Sequence, residues 1–141
     1  MSLSERLLHL CRRYDLVAIY AFGSRAGEAA ARAGGRSGQP EPGASDLDIG
    51  VQPRWRRRLG AFEKVELAQA LEDLFGVGRV DLVVVTEAPA FLAYEVIRGE
   101  ILACTDPDAQ ARFELYVLAR AGDLAHWHKK RIRAIYREGA R

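Results

Sequence analysis

The chain has 141 residues, of which 49% are hydrophobic and 28% are charged, and its formal net charge is +2. These values are typical of a soluble globular protein, and they exclude a disordered, collagen-like or coiled-coil chain and a globally polybasic one. We therefore expect one domain that spans residues 1–141.

The hydrophobic pattern predicts helices that alternate with short strands. In chain order, the predicted elements are a capped helix that ends near Arg13, a buried strand at 16–22, an alanine-rich helix at 26–33, a flexible Gly/Pro-rich insertion at about 34–44, a strand at 46–51, a four-turn helix between Leu59 and Phe75, a nearly fully buried strand at 79–86, a helix at 89–99, an edge strand at 101–104 and a C-terminal helix at about 108–138. This order predicts an α/β (α+β) fold with a small mixed sheet of three to four strands, flanked by helices and followed by a long C-terminal helix.

Two carboxylates stand two residues apart at the start of the second predicted strand. Asp46 and Asp48 point to the same side, because successive side chains of a strand alternate between its faces. Leu47, Ile49 and Val51 then lie on the opposite face, as expected for a strand packed on a core. Two close carboxylates repel each other, and a divalent cation such as Mg²⁺ takes oxygen ligands of this kind. The pair predicts a metal site.

A third acid, Asp81, opens the next strand and is the one carboxylate in an otherwise apolar run. An unpaired buried carboxylate is costly, so we expect a compensating group. If the two strands are neighbours, Asp81 joins Asp46 and Asp48 around a pair of cations. Such an arrangement suits a two-metal in-line displacement at phosphorus, which is the chemistry of nucleotidyl transfer.

The turn after the first strand has the residues of a phosphate-binding turn. Gly23 lets the backbone approach a phosphate, and the Ser24 hydroxyl and the following amides offer hydrogen-bond donors at a helix N-terminus. Arg25 can add a charge-assisted contact. These three residues are the predicted nucleotide-binding positions.

The ordered set of motifs resembles the minimal nucleotidyltransferases of the DNA polymerase beta superfamily, over residues 16–85. The motifs that carry the resemblance are Gly23-Ser24-Arg25, Ser45-Asp46-Leu47-Asp48-Ile49 and Val80-Asp81-Leu82-Val83-Val84. The residues between Ser24 and Asp46 are about twice as many as is usual in that family, because of the Gly/Pro-rich insertion. A loop of this length still closes at little entropic cost, and it can cover the nucleotide pocket.

The resemblance implies a nucleotidyltransferase-like fold and a two-metal enzyme. In the family, the glycine-serine pair binds the triphosphate, the paired acids bind magnesium, and the third acid completes the site and can act as a base. By position, these are Gly23 and Ser24, Asp46 and Asp48, and Asp81. The implied cofactors are two Mg²⁺ ions and ATP. The implied activity is transfer of AMP to a hydroxyl of a partner protein, a HEPN-type toxin, for which the chain would be the antitoxin in a hetero-oligomer.

Two other functions stay open at this stage. A catalytically inert antitoxin-like protein would keep the fold and neutralise its partner by binding alone, and an aminoglycoside-type enzyme would modify a small molecule. Direct nucleic-acid binding is disfavoured, because the cluster at 54–58 has only Trp55 as a stacking aromatic and is more typical of a solvated helix start. His126 and His128 diverge on a helix, so they are assigned no metal.

The sequence also predicts a cytoplasmic protein with no membrane association. Cys11 and Cys104 have neither metal-ligand nor redox spacing, and two cysteines do not make a disulfide framework. Glu5, Arg6 and His9 interrupt the apolar stretch that a signal peptide would need. No apolar run approaches the length of a membrane span.

Overall fold

The computed structural model describes residues 1–35 and 46–139, apart from the side chains of 123–131 and 134–139. The elements, in chain order, are α1 (Leu3–Arg13), β1 (Leu16–Phe22), a 3₁₀ turn (Gly23–Arg25), α2 (Ala26–Ala33), β2 (Leu47–Pro53), α3 (Ala61–Phe75), β3 (Val80–Val84), α4 (Ala90–Ile97), β4 (Glu100–Cys104) and α5 (Pro107–Gly139). Most of the predicted Gly/Pro-rich insertion lies outside the described residues, as do the side chains of His126 and His128.

The four strands form one mixed sheet in the order β3-β2-β1-β4. β1 pairs antiparallel with both β2 and β4, whereas β2 and β3 run parallel. The C-terminal end of β1 therefore lies at the same edge of the sheet as the first residues of β2 and β3. Every predicted motif of the candidate site is close to that edge.

Helices cover both faces of the sheet and divide the core into two clusters. One cluster packs α1, α2 and α3 against alternate strand residues, among them Ile19, Ile49 and Val51, each fully buried. The other cluster packs α4 and α5 against Tyr20 and its neighbours on the opposite face. Because alternate side chains of β2 enter the first cluster, the remaining side chains of β2 face the side of α4 and α5.

Local sequence explains several element boundaries. The Ser2 hydroxyl accepts a hydrogen bond from the backbone N–H of Glu5 at 3.2 Å, and the Glu5 carboxylate accepts one from the Ser2 N–H at 3.3 Å, which is a capping box at the start of α1. At the C-terminal end of α3, the helix stops at Gly76, which has a left-handed φ of 64°.

The α/β fold, the four-strand mixed sheet and the long C-terminal helix are confirmed.

Three details of the prediction are wrong. α3 begins at Ala61, so Leu59 lies before the helix, and the arginine cluster at 54–58 is a turn and loop rather than a helix start. β3 is an edge strand in the observed order, and its central residues are only partly buried.

Within the described residues, none of the helices combines the length and apolar character needed to span a membrane.

Candidate functional site

The parallel pairing of β2 with β3 brings the predicted acids together. Asp48 is the register partner of Asp81, one step after Leu47 pairs with Val80. Asp46 directly precedes β2, two residues before Asp48, so the alternation of the strand directs both carboxylates to one face. The three carboxylates thus share the face of the sheet that α4 and α5 cover, at the edge where β2 and β3 begin.

The start of β3 is held in place by the end of α3. The backbone N–H of Val80 donates a hydrogen bond to Oε1 of Glu72 at 3.2 Å, and the backbone N–H of Leu47 donates one to the carbonyl of Arg79 at 3.2 Å. These bonds fix the first pair of β2 and β3 residues. They therefore also fix the position of Asp81 along β3 relative to that of Asp48 along β2.

The turn after β1 contacts the same site. Phe22 is the antiparallel partner of Asp48, and Gly23 follows it with a φ of 76°, which side chains other than glycine rarely tolerate. A Cβ built on Gly23 would lie 2.5 Å from Oδ2 of Asp48. Gly23 is therefore required both by its backbone conformation and by its contact with the carboxylate.

The site is electrostatically unfavourable for Asp48. Partial burial raises the pKa of the Asp48 carboxyl, and the negative charges of Asp81 and Asp46 raise it further. A nearby positive charge would relieve this repulsion, because an opposite charge favours the ionised form of a carboxyl group. The site is thus suited to bind a cation.

One cationic side chain, that of Arg79, forms ion pairs with two of the three acids. Nε of Arg79 lies 3.3 Å from Oδ1 of Asp81 and 3.5 Å from Oδ2 of Asp46. The motif-based prediction missed Arg79, although its position two residues before Asp81 on an extended segment places both side chains on one face. That spacing is the signal by which the sequence could have indicated it.

The two remaining predicted residues lie on the turn between β1 and α2. Ser24 is exposed within the 3₁₀ turn, directly before the N-terminus of α2. Arg25 is buried, and its Nε contacts Oε2 of Glu28 at 3.2 Å. Gly23 therefore lies against Asp48, Ser24 follows it directly in the turn, and the guanidinium of Arg25 contacts Glu28 in the first turn of α2.

The donor set of the site fits magnesium. Among the side chains that the structure describes, no group of three or more His, Cys, Asp or Glu residues is already arranged around one metal position. The candidate ligands are nevertheless the carboxylates of Asp46, Asp48 and Asp81, and hard cations such as Mg²⁺ prefer oxygen ligands. The mutual repulsion at Asp48 is a second feature that a bound cation would relieve.

A family model described as polymerase beta nucleotidyltransferase matches residues 5–108 of the chain. The chain belongs to this nucleotidyltransferase family. The matched range includes the whole sheet and all six predicted site residues. No curated protein gives a significant match to the chain.

Solved structures of toxin–antitoxin complexes contain chains with the same fold. A toxin–antitoxin chain solved with AMP-PNP is 24% identical, with a TM-score of 0.61 and coverage of 94% of this chain and 98% of that one. A chain of the MntA–HepT complex is 22% identical, with a TM-score of 0.60 and coverage of 95% and 97%. The complex of a tri-AMPylated Shewanella oneidensis HEPN toxin with its MNT antitoxin gives 22% identity, a TM-score of 0.60 and coverage of 95% and 96%.

Proposed function

We propose that this nucleotidyltransferase transfers AMP from ATP to a hydroxyl group of a partner protein, a HEPN-type toxin, in a reaction that depends on Mg²⁺. The observation that carries the proposal is the pairing of Asp48 with Asp81 in the register of β2 and β3, with Gly23 in contact with Asp48. The family model supports the proposal, since its match over residues 5–108 includes all of these residues.

The reaction assigns a task to each part of the site. The acceptor oxygen attacks the α-phosphorus of ATP, the new O–P bond forms, and the bond from that phosphorus to the β-phosphate oxygen breaks, so that pyrophosphate leaves. The hydroxyl proton passes to a carboxylate, for which Asp81 is the proposed base. Gly23 and Ser24 orient the triphosphate through backbone amides and a hydroxyl at the start of α2.

Asp46, Asp48 and Asp81 are the residues that would hold the metal. When bound, Mg²⁺ supplies charge neutralisation and polarisation at the phosphoryl oxygens. The carboxylates themselves bring three negative charges to one edge of the sheet. That charge would repel a bare triphosphate, so nucleotide binding without a divalent cation should be weak.

A protein acceptor is supported by two observations. The solved complexes with this fold pair an MNT antitoxin with a HEPN toxin, and in one of them the toxin is tri-AMPylated. In this chain, α4 and α5 border an apolar surface groove of about 420 Å³, whose lining includes Phe91 and Leu118. Phe91 and Leu118 are 72% and 46% exposed, so the groove offers apolar side chains that a partner protein could cover.

The decisive experiment measures transfer of label. The purified chain is incubated with the small helical protein encoded beside it, α-phosphate-labelled ATP and Mg²⁺, and label on the partner is quantified. Asp48→Asn should lower the rate by at least about 100-fold, because loss of one electrostatic contact to a transition state costs on the order of 10²–10³ in rate. Asp73→Asn, which changes an exposed carboxylate on α3, is the matched control and should keep the rate.

The outcomes separate the proposed enzyme from an inert antitoxin. Transfer that survives Asp48→Asn at the original rate would contradict the assignment of the site. A wild-type chain that binds the partner tightly but transfers no label would favour the inert protein, and absence of any ATP-dependent rise in thermal stability would support that result.

A further inference from the structure

Arg79 completes a square of charged residues at the edge of the sheet. Arg79 and Asp81 lie on one segment and Asp46 and Asp48 on the neighbouring one, with Asp48 opposite Asp81 in the register. The square contains three carboxylates and one guanidinium. Nε of Arg79 is within 3.5 Å of carboxylate oxygens from two of its corners, Asp46 and Asp81.

We infer that Arg79 is a displaceable internal counter-ion, which pairs with Asp46 and Asp81 in the absence of metal and is released when a divalent cation binds to the acids. The inference rests on the proposed function, because it concerns the same carboxylates. It adds a positioning residue that the motifs of the family resemblance did not include.

The ion pairs of Arg79 are exposed, so little free energy is needed to break them. The side chain of Arg79 is 69% exposed, and the carboxylates of Asp46 and Asp81 are 44% and 45% exposed. Ion pairs this exposed contribute little stability, since water and salt screen them. A doubly charged cation can therefore replace one guanidinium without breaking a tightly held structure.

Release of Arg79 would have a consequence for nucleotide binding. A guanidinium has five N–H donors in a planar fork that matches phosphate as well as carboxylate. Once the acids hold the metal, Arg79 stands at the rim of the site and can exchange its carboxylate contacts for phosphate oxygens of the nucleotide. Metal binding and nucleotide binding would then favour each other through one side chain.

The test titrates Mn²⁺ into nucleotide-free protein and follows binding by calorimetry and thermal unfolding. Arg79→Ala should lower the apparent Kd for Mn²⁺ by roughly two- to ten-fold, the range expected when one or two exposed ion pairs are lost. In the presence of Mn²⁺ the same variant should bind AMP-PNP more weakly. Arg79→Lys keeps the charge but not the fork, so both of its effects should lie between those of wild type and Arg79→Ala.

The matched control is Arg13→Ala, which removes a similarly exposed arginine that pairs with Glu66 on α3, beyond the end of β1 opposite to the acids. It should leave both affinities unchanged. An Arg79→Ala protein that binds Mn²⁺ no more tightly than wild type, or that binds AMP-PNP equally well, would overturn the inference.

The carboxylates are tested separately in the same titration. Asp48→Asn should lose Mn²⁺ binding whether or not Arg79 is a counter-ion. Unchanged Mn²⁺ binding in Asp48→Asn would contradict the proposed function itself, whereas loss of binding there together with no gain in Arg79→Ala overturns the role of Arg79 alone. If neither wild type nor Arg79→Ala responds to Mn²⁺, the inference is likewise overturned.

Discussion

Gly23 and Asp48 are in direct contact across the end of the β1–β2 pair, since a Cβ on Gly23 would lie 2.5 Å from Oδ2 of Asp48. The contact joins the turn that is proposed to bind phosphate to one of the acids that are proposed to bind metal. A change in the backbone of the turn would therefore move or rotate the carboxylate.

Gly23→Ala is expected to lower both stability and activity. The left-handed backbone at this position costs a residue with a side chain about 1–2 kcal/mol, and the new methyl group would also overlap the Asp48 carboxylate. Urea unfolding measures the first effect, and label transfer measures the second.

Two other glycines separate these contributions. Gly76→Ala has the same kind of positive φ, but a Cβ there would meet nothing within 4 Å, so it should show the backbone cost alone. Gly27→Ala lies in α2 with open space around it and should stabilise the protein by about 0.5–1 kcal/mol. Equal losses of stability in Gly23→Ala and Gly76→Ala would show that the Asp48 carboxylate moves away from the new methyl group at no cost in free energy.

Asp48→Asn is expected to raise the stability of the metal-free protein at about pH 7. Burial, Asp81 and Asp46 raise the pKa of Asp48 in the folded state, so folding becomes less favourable as pH rises from the unfolded-state pKa through the folded-state pKa. The asparagine removes this penalty. Thermal unfolding in the presence of a chelator should show a higher Tm for the variant than for wild type, and Asp73→Asn should show no such rise.

The same pair of proteins should respond oppositely to added Mg²⁺. Wild type gains stability, because a ligand of the folded state stabilises it, whereas Asp48→Asn should gain little. A lower Tm for Asp48→Asn in chelator would mean that the carboxylate repulsion is absent.

Tyr20→Phe should destabilise the packing of α5 on the sheet. The Tyr20 hydroxyl donates to Oε1 of Glu114 at 3.0 Å and accepts from Nε2 of Gln110 at 3.1 Å, and the Tyr20 side chain is fully buried. Removal of the hydroxyl leaves polar groups of α5 unsatisfied, which costs about 1–3 kcal/mol in the free energy of unfolding.

Tyr116→Phe is the control for that measurement. Its hydroxyl also makes a side-chain hydrogen bond, from Nη1 of Arg120 at 2.9 Å, but Tyr116 is exposed. The change should stay within about 0.5 kcal/mol. Equal losses in the two variants would argue against a structural role of the buried Tyr20 contacts.

Glu63→Gln should lower stability near neutral pH but not in acid. Hydrogen bonds from Arg57 and then from the Gly60 N–H lower the pKa of Glu63. A lowered carboxyl pKa stabilises the fold above the unfolded-state value of about 4.3, and this contribution disappears as pH falls through the folded-state pKa.

Urea unfolding from about pH 7 to about pH 3 would follow this dependence. The difference in unfolding free energy between wild type and Glu63→Gln should shrink as the carboxyl is protonated. Glu95→Gln changes an exposed carboxylate 3.7 Å from Arg98 and should show a smaller dependence. A difference that stays constant over the whole range would contradict the pKa assignment.

Local patterns in the sequence were sufficient for much of the fold. The predicted bounds of β1 and α2 agree with the observed Leu16–Phe22 and Ala26–Ala33, because an apolar run between turn residues and an alanine-rich stretch are decided by nearby residues. The periodicity of α3 was less informative. Phe62 and Val65 belong to the apolar pattern of α3 but are exposed, since a pattern cannot tell how much of a helix its neighbours cover.

The sequence by itself determined which carboxylates share a face, because the alternation of a strand is a property of the backbone: Asp46 and Asp48 had to point the same way. Only the tertiary structure decided what lies beside them. The parallel pairing that sets Asp48 against Asp81, the contact of Gly23 with Asp48 and the ion pairs of Arg79 all join residues from different segments. Such contacts depend on strand order and register, which follow from the packing of the whole chain rather than from the pattern of any one segment.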